Sequence, residues 1–127
     1  MASSKNDNQS GDTLAVGELR KEYGKITRAT FGAGGYQEAQ VGLWLLFEGK
    51  GWGCGHGIAG GWNFPPDSNA KWTLEDQSKS YATMVRDIMK LLADAKVDSV
   101  DKLMGKPVEC KFEFTTLKSF RIFTEVL

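Results

Sequence analysis

The stretch that decides the fold is Gly51-Trp52-Gly53-Cys54-Gly55-His56-Gly57-Ile58, in which a glycine stands at every other position. Side chains of a β-strand point alternately to its two faces. In an extended conformation, one face of this strand is therefore bare backbone, and the other carries an indole, a thiol, an imidazole and an aliphatic group. We expect the bare face to accommodate something large: another strand, an aromatic ring, a partner chain or a flat ligand.

The residues before this stretch predict the other half of a hairpin. Tyr36–Phe47 is typical of a strand, and its second half is apolar on both faces. Glu48–Gly51 supplies the residues of a tight turn, so the glycine-rich strand returns antiparallel. Bulky side chains of the first strand, Trp44 among them, are then expected to fold over the glycines of the second.

Further towards the N-terminus, the chain predicts one more strand and a polar leader. Lys25–Phe31 is rich in β-branched residues and alternates in polarity, which favours a strand, and Gly32–Gly35 is expected to end it. The mixture over Leu14–Tyr23 is compatible with a strand or a helical turn. Residues 1–13 have too few apolar side chains to offset the entropy of ordering. We therefore expect a flexible polar leader (1–13) and a single domain (14–127).

A loop is predicted after the glycine-rich strand. Gly60–Lys71 contains Pro65 and Pro66, which exclude both a helix and a central strand because each fixes φ and removes a hydrogen-bond donor. Three large aromatic residues lie in or beside this loop: Trp62, Phe64 and Trp72. We expect them to pin the loop to the core, with the alternative that one of them lines a binding surface.

The clearest helix begins after this loop. Thr73 is an N-cap candidate, and Glu75 and Asp76 follow where the helix dipole favours acidic side chains. Val97–Gly105 predicts a second, short helix that is capped by Asp98 or Ser99. In the long helix, apolar residues recur at steps of three and four and predict one buried stripe, formed by Tyr81, Met84, Val85, Ile88, Leu91, Leu92 and Ala95.

Two strands are predicted at the C-terminal end. Residues 108–114 and 119–126 alternate between apolar and mainly polar side chains, and Thr115–Lys118 connects them. The whole order predicts an α+β domain with a single antiparallel sheet of about five strands packed on one long helix, plus one short helix. Such a sheet has free edges, and the outward-facing Phe123 and Leu127 are apolar. We therefore expect a homodimer or a higher homo-oligomer, joined through a sheet edge or a helix.

Composition narrows the function classes. The 127 residues include 16 Lys+Arg and 16 Asp+Glu, a formal net charge of zero. Binding to nucleic acid or to an anionic membrane normally needs an excess of basic residues, so neither kind of binding is expected. No apolar run reaches the ~18 residues that a membrane-spanning helix needs, so no such helix is expected either. The N-terminus lacks the pattern of a signal peptide, which favours a cytoplasmic protein. Cys54 and Cys110 are predicted to be buried free thiols.

Several motifs spread from about residue 24 to the C-terminus carry a resemblance. They are Phe31–Gln37, Gly51–Gly53, Ala70–Thr73, Ala95–Val100 and Leu117–Leu127. Together they resemble a family of small uncharacterised proteins of bacteriophages and prophages. The resemblance carries over no catalytic or binding residue. It implies a phage accessory protein that acts in the cytoplasm of a bacterial host by binding, for example by blocking a component of host defence.

Three hypotheses about function follow. In the first, a sheet surface that carries aromatic rings and is flat where glycines stand binds a host protein, and no cofactor is needed. In the second, the protein holds a small nucleotide-like ligand, on which Tyr36, Trp52 or Trp62 stacks and whose phosphates meet Arg28, Arg121 or Lys118. In the third, Cys54 and His56 serve a small hydrolase or metal enzyme, although no nucleophile elbow or metal-ligand spacing surrounds them. The candidate binding residues are Tyr36, Gln37, Trp52, His56, Trp62, Arg28, Lys118 and Arg121.

Overall fold

A computed structural model describes residues 18–127, in which five strands and one long helix follow one another. The predicted leader lies outside the described residues. The strands pair in the order β3-β2-β1-β4-β5, and every neighbouring pair is antiparallel. The predicted α+β class, with one antiparallel five-stranded sheet and one long helix, is therefore confirmed. The elements are β1 (Arg20–Gly34), β2 (Gln40–Gly49), β3 (Trp52–Trp62), α1 (Leu74–Ala95), β4 (Pro107–Glu113) and β5 (Thr116–Ile122), with 3₁₀ turns at Tyr36–Glu38, Val100–Leu103 and Thr124–Val126.

Strand β1 organises the sheet because it pairs with β2 along one half and with β4 along the other. Gly24 lies opposite Gly49 of β2 and also opposite Val108 of β4. A register shift between Ile26 and Arg28 marks a bulge, a feature that bends a strand and increases its twist. The sheet curls as a result, so that rings from its two edge strands meet inside it.

The core lies between the concave side of this curled sheet and α1. The helix buries five members of the predicted stripe, Met84, Ile88, Leu91, Leu92 and Ala95, whereas Val85 is exposed and Tyr81 is half-buried. The sheet contributes buried residues that include Ile26, Leu43, Leu45, Phe47, Val108, Cys110, Phe112 and Ile122. The position of the stripe along the sequence therefore fixes which side of the helix packs on the sheet.

The start of α1 is confirmed in detail. The Thr73 hydroxyl accepts a hydrogen bond from the Asp76 backbone N–H at 3.1 Å, and the Asp76 carboxylate accepts one from the Thr73 N–H at 2.9 Å. This reciprocal pair is a capping box, which satisfies two backbone donors at the helix start. The hydrogen bond from the Thr73 backbone also lowers the pKa of Asp76 below its ordinary value.

The predicted glycine break in β1 is wrong. The strand continues through Gly34, because Gly32 pairs with Gly42 and Gly34 pairs with Gln40 of β2. The predicted strand start at Tyr36 is also wrong. Positive φ angles of 54° at both Gln37 and Glu38 turn the chain through Tyr36–Glu38, so β2 begins only at Gln40.

The predicted loop begins too early as well. Strand β3 includes Gly60 and Gly61 and ends at Trp62, which pairs with Gln40. Helix α1 approaches the strand at Gly60, where an added Cβ atom would lie 2.9 Å from the Met84 sulfur. Gly60 is therefore a site of close helix–strand packing rather than a loop residue.

The remaining boundary corrections fall in the C-terminal third. The second helix is only a 3₁₀ turn, Val100–Leu103, because the chain after it pairs with β1: the Gly105 N–H donates to the Ile26 carbonyl at 2.7 Å. Thr116–Lys118, predicted to lie in the connection, belongs to β5. Strand β5 ends at Ile122 rather than near the C-terminus, and the 3₁₀ turn Thr124–Val126 follows it.

Two indole rings lie over glycines, one on each side of the sheet. On the convex side, a Cβ atom added to Gly57 would lie 2.3 Å from the Trp44 ring, and one added to Gly34 would also lie 2.3 Å from that ring. On the concave side, the Trp52 ring leaves no room for a Cβ atom on Gly49 or Gly24. The prediction that large rings fold over the glycines is confirmed for Gly57. Added Cβ atoms at Gly53 and Gly55 would make only ordinary contacts, at 3.4 Å or more.

Candidate functional site

Strand β3 directs Trp52 and His56 to the concave side of the sheet. The Trp52 indole reaches across Gly49 and Gly24 to the Phe112 ring on β4, at 5.5 Å between centroids and 77° between planes. This edge-to-face contact ties β3 to the far half of the sheet. The structure thus gives the indole a partner within the chain, although Trp52 was predicted to stack on a ligand.

His56 lies beside two phenylalanine rings that contact each other, with 4.7 Å between their centroids. Its imidazole is 6.4 Å from the Phe47 ring and 5.1 Å from the Phe120 ring of β5, between centroids. Desolvation at this position lowers the pKa of His56 below its ordinary value of 6.5. The imidazole is therefore mainly neutral at pH 7.

The two cysteines carry protonated thiols at neutral pH. Cys110 is fully buried and Cys54 is half-buried, and both are free. Burial raises the pKa of Cys54, and it raises the pKa of Cys110 to about 12. Within residues 18–127, no group of three or more His, Cys, Asp or Glu side chains could hold a metal ion. A thiolate nucleophile or a cysteine-bound metal thus has no support from these side chains.

A cleft of about 300 Å³ opens where the two edge strands approach each other beneath α1. Its floor is apolar and aromatic, and its helix wall carries Asp87, Lys90 and Asp94, of which Lys90 and Asp94 form an ion pair at 3.0 Å. The cleft could not be predicted from spacing along the chain, because it depends on the curl of the sheet. The cleft is lined by His56, Ile58, Asp87, Lys90, Leu91, Asp94, Phe120, Arg121 and Ile122.

Arg121, on the rim of this cleft, binds two carboxylates. Its guanidinium donates to Glu109 at 3.0 Å and to both Glu125 oxygens, at 2.9 and 2.7 Å. Glu109 is only 5% exposed and also accepts a hydrogen bond from the Tyr23 hydroxyl at 3.1 Å. We call Tyr23, Glu109, Arg121 and Glu125 the Arg121 network. It lowers the pKa of Glu109, and it lowers the pKa of Glu125 to about 2 because Arg121 donates to the ionised carboxylate.

The other two predicted cations lie elsewhere. Arg28 is exposed on β1 opposite Leu46, a position on the convex side of the sheet. Lys118 on β5 pairs with Glu113 at 3.4 Å. The structure therefore does not gather the predicted cations around one ring or one cleft. Phe123, predicted to be an outward apolar residue, packs its ring 5.0 Å from that of Tyr23.

A second group of predicted residues does come together, at the end of the sheet near the start of α1. Trp62 ends β3, and the Asn63 N–H that follows donates to the Ala39 carbonyl at 2.9 Å, beside the turn that holds Tyr36 and Gln37. The Trp62 ring stacks on Phe64 at 5.9 Å, and Phe64 lies 6.0 Å from Trp72. We call Tyr36, Trp62, Phe64 and Trp72 the aromatic end.

The aromatic end is anchored through its backbone. The Gln77 side-chain amide of α1 donates to the Trp62 carbonyl at 2.8 Å and to the Phe64 carbonyl at 2.9 Å. The Tyr81 hydroxyl also donates to the Trp62 carbonyl. The rings themselves stay accessible: Tyr36 is 82%, Phe64 is 47% and Trp62 is 38% exposed. The prediction that these aromatics pin the loop is therefore incomplete, because Gln77 and Tyr81 hold the backbone as well.

Comparison of this chain with protein families, with curated proteins and with solved structures gives no match. Among the described residues, no helix is long and apolar enough to cross a membrane.

Proposed function

We propose that this protein acts by binding, as a small phage or prophage accessory protein that inhibits a host protein, foremost a defence protein. The observation that carries the proposal is the aromatic end, where large rings are exposed while their backbone is fixed. Tyrosine and tryptophan dominate the binding energy of protein interfaces. A surface whose rings are already ordered loses less entropy when it binds.

The resemblance to phage proteins supports the setting of this proposal. Its motifs include both Phe31–Gln37, which ends in the turn beside Trp62, and Ala70–Thr73, which contains Trp72. Two of the motifs thus contribute rings to the aromatic end. A host protein in the bacterial cytoplasm is the partner that this setting favours.

The test uses a pair of matched variants. Tyr36→Ala combined with Phe64→Ala removes two exposed rings of the aromatic end. Phe114→Ala removes a ring that is 65% exposed at the β4–β5 turn, away from the aromatic end. Bacteria that carry a defence system and express each protein are challenged with a phage that the system restricts.

We expect the unchanged protein and Phe114→Ala to restore plating of the phage, and the aromatic-end double variant to lose most of this effect. Truncation of a hot-spot ring costs about 2 kcal/mol or more, and about 1.4 kcal/mol is a factor of ten, so loss of two such rings should weaken binding of the purified target at least about a hundredfold. Circular dichroism verifies that both variants fold. Equal activity of the two variants would refute the aromatic end as the binding surface, and no effect of the unchanged protein on any restricted phage would refute the proposed inhibition.

The nucleotide hypothesis has less support. Of its three proposed phosphate partners, Arg121 and Lys118 are paired with carboxylates and Arg28 lies on the convex side. The cleft beside His56 is lined by Asp87 and Asp94 as well as by Lys90 and Arg121, and Lys90 is paired with Asp94, so the lining offers a phosphate no excess of positive charge. Native mass spectrometry of the purified protein tests this alternative directly, since a copurifying mass of nucleotide size would favour it.

A further inference from the structure

The free edge of β3 is a surface that the proposed function does not use. β3 is the last strand on its side of the sheet. The two-residue turn Lys50–Gly51 makes Gly49 and Trp52 a hydrogen-bonded pair at the start of the hairpin, and antiparallel pairs then alternate between bonded and non-bonded. The backbone N–H and C=O groups of Gly53, Gly55 and Gly57 therefore point away from β2.

From Trp52 to Ala59 this edge has none of the usual protection against another strand, and its irregularity with β2 lies beyond Ala59. Proteins block free edges with charged side chains, prolines or bulges. The eleven residues Trp52–Trp62 include no charged residue and no proline, and the register with β2 is regular from Trp52 to Ala59. Gly53, Gly55 and Gly57 are exposed, and no backbone hydrogen bond outside the sheet involves them within residues 18–127. The opposite edge, β5, carries Lys118 and Arg121.

We propose that β3 pairs antiparallel with β3 of a second copy of this chain, about a two-fold axis at Gly55. In this register Gly55 lies opposite Gly55 of the second copy, and Gly53 lies opposite Gly57. The groups that point away from β2 then bond to each other, which continues the sheet across the dimer.

The second copy fits this edge better than an unrelated strand because the glycine spacing is symmetric about Gly55, with Gly53 on one side and Gly57 on the other. The Trp44 ring covers Gly57 on the convex side, and the residue facing Gly57 in this register is Gly53, which has no side chain to collide with that ring. On the concave side Cys54 faces His56, so no like charges oppose each other. An isologous pair of this kind closes as a dimer and leaves no further edge of β3 exposed.

The test places a charge at the two-fold axis. Gly55 has room for a side chain, since an added Cβ atom would lie 3.6 Å from the nearest atom, the Leu45 carbonyl oxygen. In Gly55→Lys two lysines face each other, and in Gly55→Glu two glutamates do. Lys118→Glu on β5 is the control at the opposite edge. Sedimentation equilibrium on the full chain measures the mass of each protein, alone and in a mixture of the Gly55→Lys and Gly55→Glu variants.

We expect the unchanged chain and Lys118→Glu to sediment at twice the 14.0 kDa of one chain. Each Gly55 variant alone should dissociate at least about tenfold more readily, because like charges face each other across the axis. An equimolar mixture of the two should restore the dimer. Hydrogen exchange adds a second readout, with the amides of Gly53, Gly55 and Gly57 more protected at high than at low protein concentration. A monomeric unchanged chain, or a Gly55→Lys chain that remains dimeric, would overturn the proposal.

Discussion

The two edge strands of the sheet are ordered by different interactions. Strand β3 has no charged side chain, and it is fixed by rings, with Trp44 of β2 covering Gly57 and Trp52 reaching Phe112. Strand β5 packs Phe120 and Ile122 on the core and is in addition held by charge, because Arg121 binds the carboxylates of Glu109 and Glu125 and so ties the C-terminal turn to the sheet. The order of β3 should therefore respond to changes in side-chain volume, and that of β5 to changes in pH.

The largest effect is expected for Gly57→Val. The valine would occupy space that the Trp44 ring fills, and displacing the ring would also break the hydrogen bond from its Nε1–H to the Gly32 carbonyl, which is 2.9 Å long. Overpacking typically costs about 1–3 kcal/mol, so we expect the free energy of unfolding to fall by about 3 kcal/mol. Urea denaturation measures it.

A double-mutant cycle shows whether this loss comes from the ring. Once Trp44→Ala has removed the indole, Gly57→Val has no ring to displace and should cost less than about 1 kcal/mol. If the cost of Gly57→Val stays the same in both backgrounds, the indole is not what makes glycine necessary at this position.

A smaller effect is expected at the other edge, where Arg121→Met removes the cation of the Arg121 network. Glu109 would keep only the Tyr23 hydroxyl as a partner while remaining almost fully buried, which is unfavourable for its ionised form. The pKa of Glu109 should rise accordingly, and carboxyl-detected NMR titration measures it. Lys118→Met, which removes an exposed ion pair on the same strand, is the matched control and should leave this pKa unchanged.

The dependence of folding stability on pH also distinguishes the two edge strands. Arg121 holds the pKa of Glu125 at about 2, below its ordinary value of 4.5. Because the folded-state pKa is the lower one, the contribution of Glu125 to stability is complete above pH 4.5 and is lost as the pH falls towards about 2. The denaturation midpoint should fall over this range, and it should fall less in Glu125→Gln. The contribution of His56 is lost in a separate range, as the pH falls below 6.5, because its pKa is also lowered.

The contrast between the edges also explains what could be predicted from the sequence. Alternation and helical periodicity are local signals, and they identify the glycine-rich hairpin, the Thr73 cap and the buried stripe of α1. The curl of the sheet is not local: it depends on β1 pairing with two different strands around the bulge after Ile26. The cleft beside His56 and the partners of Arg121 follow from that curl, so they could not be placed from spacing along the chain.

The aromatic end was only partly predictable for a related reason. Trp62, Phe64 and Trp72 stand close together in the sequence and were expected to act together. The turn that brings Tyr36 to the same end of the sheet depends on positive φ angles at Gln37 and Glu38, two residue types that rarely adopt them. No propensity predicts such a turn, and it follows from the pairing of β1 with β2.

The smallest expected effect comes from Gly53→Val, which lies four residues from Gly57 on the same side of the same strand. An added Cβ atom there would be 3.4 Å from the Phe47 carbonyl oxygen and 3.5 Å from the Glu48 side chain, which are ordinary contacts. We expect the free energy of unfolding to change by no more than about 0.5 kcal/mol, as for other exposed substitutions, when it is measured at a protein concentration too low for self-association. A loss close to that of Gly57→Val would mean that β3 requires glycine for its backbone conformation. A small loss would show that the Trp44 ring, and not the backbone conformation of β3, accounts for the difference between Gly57 and Gly53.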